Sequence, residues 1–110
     1  MNLQMSPALS VSASCRISQW LLEHGHINAP LPPVPCQGDV IPDHPRINPN
    51  EATDVIRLWL RYCALYQQAA QQLPIHQFDS LTHSLSALPN LYMANWMQTA
   101  HAIEMIQAVL

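Results

Sequence analysis

The chain has 110 residues, of which 49% are hydrophobic and only 10% are charged, and lysine is absent. This length suits a single domain, and the hydrophobic content is too high for a disordered chain. A net charge of −3 with four arginines argues against a nucleic-acid-binding protein, because that function requires several clustered cations. The low charge content has two explanations. Either another chain covers part of the surface, or the Gln, Ser, Asn and Thr side chains keep the protein soluble.

Residues 1–25 predict one short amphipathic helix of two or three turns. Ser6 followed by Pro7 can start this helix, and Gly25 can end it. Its apolar positions are Ile17, Trp20, Leu21 and His24. So short a helix is mostly unfolded in water by itself. We therefore expect it to dock on the rest of the chain or on another protein.

Residues 26–48 predict a proline-rich extended arm, since six of the ten prolines lie there. Repeated prolines favour extended or polyproline II backbone and exclude both regular helix and central strand. A stiff segment of this kind loses less conformational entropy on binding than a flexible one. The arm is therefore a candidate strap across a partner protein.

Residues 49–73 predict the longest helix. Asn48 can cap it, Pro49 suits its first position, Glu51 completes a capping box, and Pro74 ends it. One apolar row recurs at heptad spacing and consists of Ala52, Ile56, Trp59, Cys63, Tyr66, Ala70 and Leu73. A second row beside it consists of Val55, Leu58, Tyr62, Leu65 and Ala69. A helix that is apolar over most of its circumference is normally buried among several neighbours.

Two further helices are predicted, at 75–88 and at 91–109, the latter capped by Asn90. The apolar face of the first is formed by Ile75, Phe78, Leu81, Leu85 and Leu88, and that of the second by Tyr92, Trp96, Thr99, Ile103, Ile106 and Leu110. Short connections make successive helices antiparallel neighbours. The sequence thus predicts an all-α protein, with a three-helix up-down bundle over 49–110 preceded by the short helix and the arm.

The histidines and cysteines do not form a recognisable metal motif. The densest group is His24, His26, Cys36 and His44, and it lacks the paired ligands on one turn that structural zinc sites use. His76 and His83 share a helical face and have only Asp79 as an acidic neighbour, which is typical of solvated positions. We therefore predict no metal, no cofactor and no enzymatic activity.

Two other groups of residues have chemical interpretations. Cys63 lies in the apolar row of the longest helix, where a buried thiol packs as a small hydrophobe and has a raised pKa. The stretch from Phe78 to Leu81 resembles the Asp-Ser-Leu signature of acyl carrier proteins, whose serine carries phosphopantetheine. The match covers three residues and lacks the usual glycine, and a helix-capping Asp79 accounts for the same letters, so we assign no modification to Ser80.

The tryptophans Trp20, Trp59 and Trp96 fall one in each of three predicted helices. Core packing is the default interpretation of each, and an interface anchor is the alternative, since tryptophan is enriched in binding hot spots. No glycine-rich phosphate loop is present, and no apolar run is long enough to cross a membrane. Three cysteines without close spacing suit reduced thiols and favour a cytoplasmic location.

These features favour a non-catalytic helical interaction subunit or adaptor of a larger assembly, with hetero-oligomers preferred and homo-oligomers as an alternative. The second hypothesis is a small stand-alone inhibitor or chaperone that binds one protein; a metal-dependent protein and an acyl-carrier-like domain are weaker alternatives. Neither nucleic acid nor a membrane span is expected. The predicted interface residues are Trp20, Leu21, Leu31, Val34, Ile41, Val55, Leu58, Tyr62, Leu65 and Trp96.

Overall fold

A computed structural model describes residues 5–37 and 52–110, with the side chains of the first range described from residue 14 onward. Within these ranges the chain is helical and has no strand, which confirms the all-α prediction. The helices are α1 (Met5–Glu23), α2 (Ala52–Gln72), α3 (Ile75–Ser86) and α4 (Trp96–Val109). α2 packs mainly against α4, and both contact α3. None of the described helices is long and apolar enough to span a bilayer.

Helix α1 is longer than predicted, with 19 residues instead of two or three turns. It starts ahead of Ser6, and Pro7 is tolerated in the first turn because the amide it lacks would have no helical acceptor there. Its end was predicted correctly. Gly25 has φ +76°, its amide donates to the Leu22 carbonyl at 3.1 Å, and the His26 amide donates to the Leu21 carbonyl at 2.9 Å. This pair of bonds is the Schellman arrangement that favours glycine.

The cap predicted for the last helix was wrong. α4 begins at Trp96, and its cap is Asn95, whose side-chain oxygen accepts from the Gln98 amide at 3.2 Å. Asn90 instead adopts φ +58° in the turn before the helix, a conformation that asparagine tolerates better than most residues. This turn directs Leu91 into the core. The capping residues predicted for α2, namely Asn48, Pro49 and Glu51, lie outside the described residues.

The buried apolar side chains form one cluster, to which every described part of the chain contributes. α2 and α4 contribute most, with Trp59, Tyr62 and Ile106 essentially inaccessible to solvent. Three large apolar residues that were predicted on packed faces are exposed, namely Ile75, Trp96 and Leu110. Each lies at the end of a helix, where the neighbouring helix no longer covers it.

The first part of the predicted arm packs against α1. Residues 27–37, hereafter the docked segment, have neither helical nor strand structure. The Ser18 hydroxyl accepts from the Leu31 amide at 2.9 Å, and the Ser14 hydroxyl accepts from the Val34 amide at 3.1 Å. These bonds satisfy backbone donors that proline-rich sequence cannot pair in regular structure. The rest of the predicted arm, 38–48, lies outside the described residues.

The docked segment also contacts the helices that follow it. The Tyr62 hydroxyl donates to the Pro35 carbonyl at 2.7 Å, and both groups are buried. The backbone amide of Gln37 donates to the Leu91 carbonyl at 2.6 Å, while the side-chain amide of Gln37 donates to the Leu88 carbonyl at 2.8 Å. The segment is therefore an integral layer between α1 and the remainder of the fold.

Candidate interaction groove

Nine of the ten predicted interface residues are described, and they are buried, half-buried or exposed. Leu21, Val34, Val55 and Tyr62 are buried in the chain's own core, and Ile41 lies outside the described residues. Trp20, Leu31, Leu58 and Leu65 are half-buried, and Trp96 is 56% exposed. The structure brings three of the ten together at one surface site, which is formed by Val55, Leu58 and Trp96.

This site is a groove of about 420 Å³ between the first half of α2 and the start of α4. Its lining residues are Asp54, Val55, Arg57, Leu58, Arg61 and Trp96. Val55 and Leu58 form the apolar floor, and Trp96 forms the opposite wall. Since Val55 is only 5% exposed, the floor is continuous with the core. The groove thus lies directly over the hydrophobic core.

Two arginines border the apolar floor. Arg57 and Arg61 lie four residues apart on α2, so that their side chains leave the helix on the same face. Both are exposed, and neither forms an ion pair or hydrogen bond with the residues that the structure describes. A guanidinium group can bind a carboxylate or phosphate through two parallel hydrogen bonds. The groove therefore combines an apolar floor with unpaired anion-binding groups.

The wall formed by α4 is exposed. Trp96 is followed by Met97, which is 67% exposed, so the first turn of α4 presents two large apolar side chains to solvent. The other large exposed apolar residues of the described ranges, Ile75 and Leu110, stand on different helix ends. Exposed tryptophan and methionine suit a binding surface, because tryptophan gives a large rigid contact and methionine adapts its shape.

Two members of the histidine and cysteine group near the arm lie against the same tryptophan. The His24 ring stacks on Trp20 with ring centres 4.0 Å apart, and the His26 ring lies nearly parallel to Trp20 at 5.6 Å. Cys36 is buried, and His44 lies outside the described residues. Within those residues, no three His, Cys, Asp or Glu side chains are arranged to hold a metal ion.

The other chemical candidates occupy ordinary packing positions. Cys63 is buried as predicted, and burial raises the pKa of its thiol to about 12, which leaves it protonated at neutral pH. Burial likewise raises the pKa of the Tyr62 hydroxyl. Asp79 does not cap a helix, contrary to prediction, because α3 begins at Ile75 after Pro74. Ser80, the residue of the acyl-carrier-like stretch, is an exposed position inside the same helix.

Three of the predicted interface residues line the groove, but its combination of apolar and charged side chains was not predicted. Arg57 and Arg61 were not connected with Trp96, because nothing in the sequence places the start of α4 beside the first half of α2. Met97 was missed because the predicted face of that helix did not include it. The available signal was the i, i+4 arginine pair in a chain with so few cations.

The chain matches no protein-family model, no curated protein sequence and no solved structure.

Proposed function

We propose that this protein is a non-catalytic helical interaction subunit or adaptor that docks on another protein through the groove between α2 and α4. The observation that carries the proposal is the exposed Trp96 beside an apolar floor and two exposed arginines that form no ion pair with the described residues. In this proposal α2, α3 and α4 are arranged as an up-down bundle that presents the groove. The docked segment supports the bundle through the hydrogen bond between the Tyr62 hydroxyl and the Pro35 carbonyl.

The composition of the groove supports binding of a protein rather than simple solvation. Interface hot spots are enriched in tryptophan and arginine, and they cluster where an apolar pocket can be desolvated. Trp96, Arg57 and Arg61 supply these residue types around one floor. A helix that needed only solubility would place polar side chains at the positions of Trp96 and Met97.

A stand-alone inhibitor or chaperone is the second candidate, and the docked segment favours it. Val34 and Cys36 are buried in the chain's own core, and Tyr62 binds the intervening Pro35 carbonyl. Residues used in this way are not free to strap a partner, and they help the chain to bury its own apolar surface. Both candidates use the same groove, and they differ in whether the chain folds by itself.

The groove can be tested by site-specific photocrosslinking. A benzophenone amino acid is introduced at Trp96 and, as a matched control, at Gln107, an exposed position on the same helix. Each variant is irradiated in extract from the native host, and crosslinked proteins are identified by mass spectrometry. We expect one protein to be crosslinked at Trp96 and not at Gln107.

The identified protein is then purified, and its affinity is measured by titration calorimetry. We expect Trp96→Ala to weaken binding at least about tenfold, as for an interface hot spot. Ile75→Ala removes a comparable exposed apolar side chain outside the groove and is expected to leave affinity unchanged. Equal effects of the two variants, or crosslinks from Gln107 alone, would contradict docking in the groove.

Light scattering and circular dichroism on the untagged chain separate the two candidates. A folded helical monomer is expected for the stand-alone inhibitor or chaperone. Aggregation of the isolated chain, relieved by co-expression with the crosslinked protein, is expected for an obligate subunit.

A further inference from the structure

We infer that the groove recognises an acidic amphipathic helix of the partner protein, whose carboxylates bind Arg57 and Arg61 while an adjacent apolar side chain packs on Leu58 and Trp96. This inference deepens the proposed function and rests on it, because it names the chemistry of the segment that docks.

The arginine pair is the first argument. Like charges at positions i and i+4 of an exposed helix repel each other and destabilise the helix. Arg57 and Arg61 have this spacing, and although Asp54 lies one turn before Arg57, neither arginine forms an ion pair with a described residue. They are half of the four lysine and arginine residues in a chain of net charge −3. A partner carboxylate would form charge-assisted hydrogen bonds with the arginines and offset their mutual repulsion.

The dimensions of the groove are the second argument. The α2 residues that line it run from Asp54 to Arg61, which corresponds to about 10 Å or two helical turns. A partner helix presents apolar and acidic side chains at the same three- and four-residue intervals, so two of its turns match this length. The described residues contain no strand edge to which an extended segment could add.

The electrostatics of the two helices give the third argument, and they also orient the partner. Trp96 is the first residue of α4, so the positive end of that helix dipole lies at the groove and favours an anion there. Asp54 lies at the opposite end of the α2 lining from Arg61. The partner carboxylates should therefore lie towards Arg61 and avoid the Asp54 end.

The openness of the groove favours a protein segment over a small amphiphilic carboxylate such as a fatty acid. Small-molecule sites usually bury 70–90% or more of their ligand. Here Trp96, the α4 residue that lines the groove, is 56% exposed, so this wall is open to solvent. A helix brings its own flanking residues to cover such a wall, and an alkyl chain does not.

The test is selection of binders from a displayed library of helical peptides with randomised surface positions, using the full-length chain as target. Selected peptides are synthesised, and their affinities are measured by fluorescence anisotropy. The variants are R57Q/R61Q, which removes two positive charges from the groove, and Q68E/Q72E, which changes the net charge equally at exposed α2 positions outside it. Trp96→Ala tests the apolar wall, and circular dichroism verifies that each variant is folded.

We expect the selected peptides to carry carboxylates beside an apolar stripe. Their affinity should fall about tenfold or more in R57Q/R61Q and in Trp96→Ala, and should be unchanged in Q68E/Q72E. Replacing the peptide glutamates with arginine should abolish binding to the natural chain and restore it to R57E/R61E. Binding should also weaken as salt concentration rises.

Other outcomes overturn the inference in distinguishable ways. Peptides that depend on Trp96 but not on the arginines would refute the acidic partner and leave the groove as a protein-docking site. Failure to select a groove-dependent peptide would refute the helical partner, and the photocrosslinking result would then decide whether the proposed function survives. If sodium dodecanoate binds the chain with 1:1 stoichiometry and displaces the peptides, the groove is a site for a small amphiphile. A dimer that dissociates in R57Q/R61Q would assign it to a second copy of this chain.

Discussion

Replacement of Tyr62 by phenylalanine tests whether the docked segment is part of the folded core. The Tyr62 hydroxyl donates to the Pro35 carbonyl at 2.7 Å, and the tyrosine is 0% exposed. The substitution keeps the ring and removes the donor, so a buried carbonyl loses its partner. Leaving such a group unpaired costs about 1–3 kcal/mol.

This free energy converts into a measurable shift in melting temperature. An unfolding entropy of about 2.1 cal/mol/K per residue amounts to about 0.23 kcal/mol/K for this chain. The expected decrease in Tm for Tyr62→Phe is therefore about 4–13 °C. Circular dichroism at 222 nm during heating measures it, and urea titration gives the free energy of unfolding directly.

Tyr66→Phe is the matched control on the same helix. Its hydroxyl bonds the Thr82 hydroxyl at 2.9 Å in a half-buried position, where water can replace the lost partner. The expected cost is about 0.5–1 kcal/mol, or about 2–4 °C. If Tyr62→Phe proved no more destabilising than Tyr66→Phe, the contact between the docked segment and α2 would contribute nothing to stability, and the integral-layer interpretation would be refuted.

Three further predictions concern helix ends and pH. Gly25→Ala should cost about 1–2 kcal/mol in urea unfolding because of the backbone conformation alone, since nothing lies within 4 Å of the added methyl group; an equally stable variant would contradict this. Asn95→Ala removes the acceptor of the Gln98 amide and should cost about 1 kcal/mol in the same assay. The pKa of Cys63 rises from 9.0 to about 12 on folding. Between pH 9 and pH 12 the folded chain therefore retains a thiol proton that the unfolded chain loses. The contribution of this thiol to the free energy of unfolding should thus be constant below about pH 8. Above pH 9 it should fall by about 1.4 kcal/mol per pH unit. Tyr62 adds to the decline above pH 10, and Cys63→Ala should reduce the slope between pH 9 and 10.

The predictions from sequence succeeded where a local rule acts alone. Proline at position 74 separates α2 from α3, and Gly25 ends α1, because backbone sterics decide these points within a few residues. The start of α4 was misplaced because Asn90 and Asn95 are both acceptable caps. The choice between them depends on the packing of Leu91 beneath the turn, which local sequence does not contain.

The groove could be predicted only in its parts. Apolar periodicity identified Val55, Leu58 and Trp96 as positions that need a neighbour, but it could not distinguish a neighbour within the chain from one outside it. Tyr62 and Val34 have the same character in the sequence, and the fold buries them. The distinction depends on which helix ends meet, and that is a property of the tertiary packing.

The contacts of Gln37 constrain how the chain can fold during synthesis. Its side-chain oxygen accepts from the Asn90 amide, 53 residues later in the chain, and its own amide bonds the Leu91 carbonyl. At translation rates of about 5–20 residues per second, these partners emerge from the ribosome about 3–10 s after Gln37. During that interval the docked segment lacks these hydrogen-bond partners. The docked segment therefore makes its final contacts late, although it precedes α2, α3 and α4 in the chain.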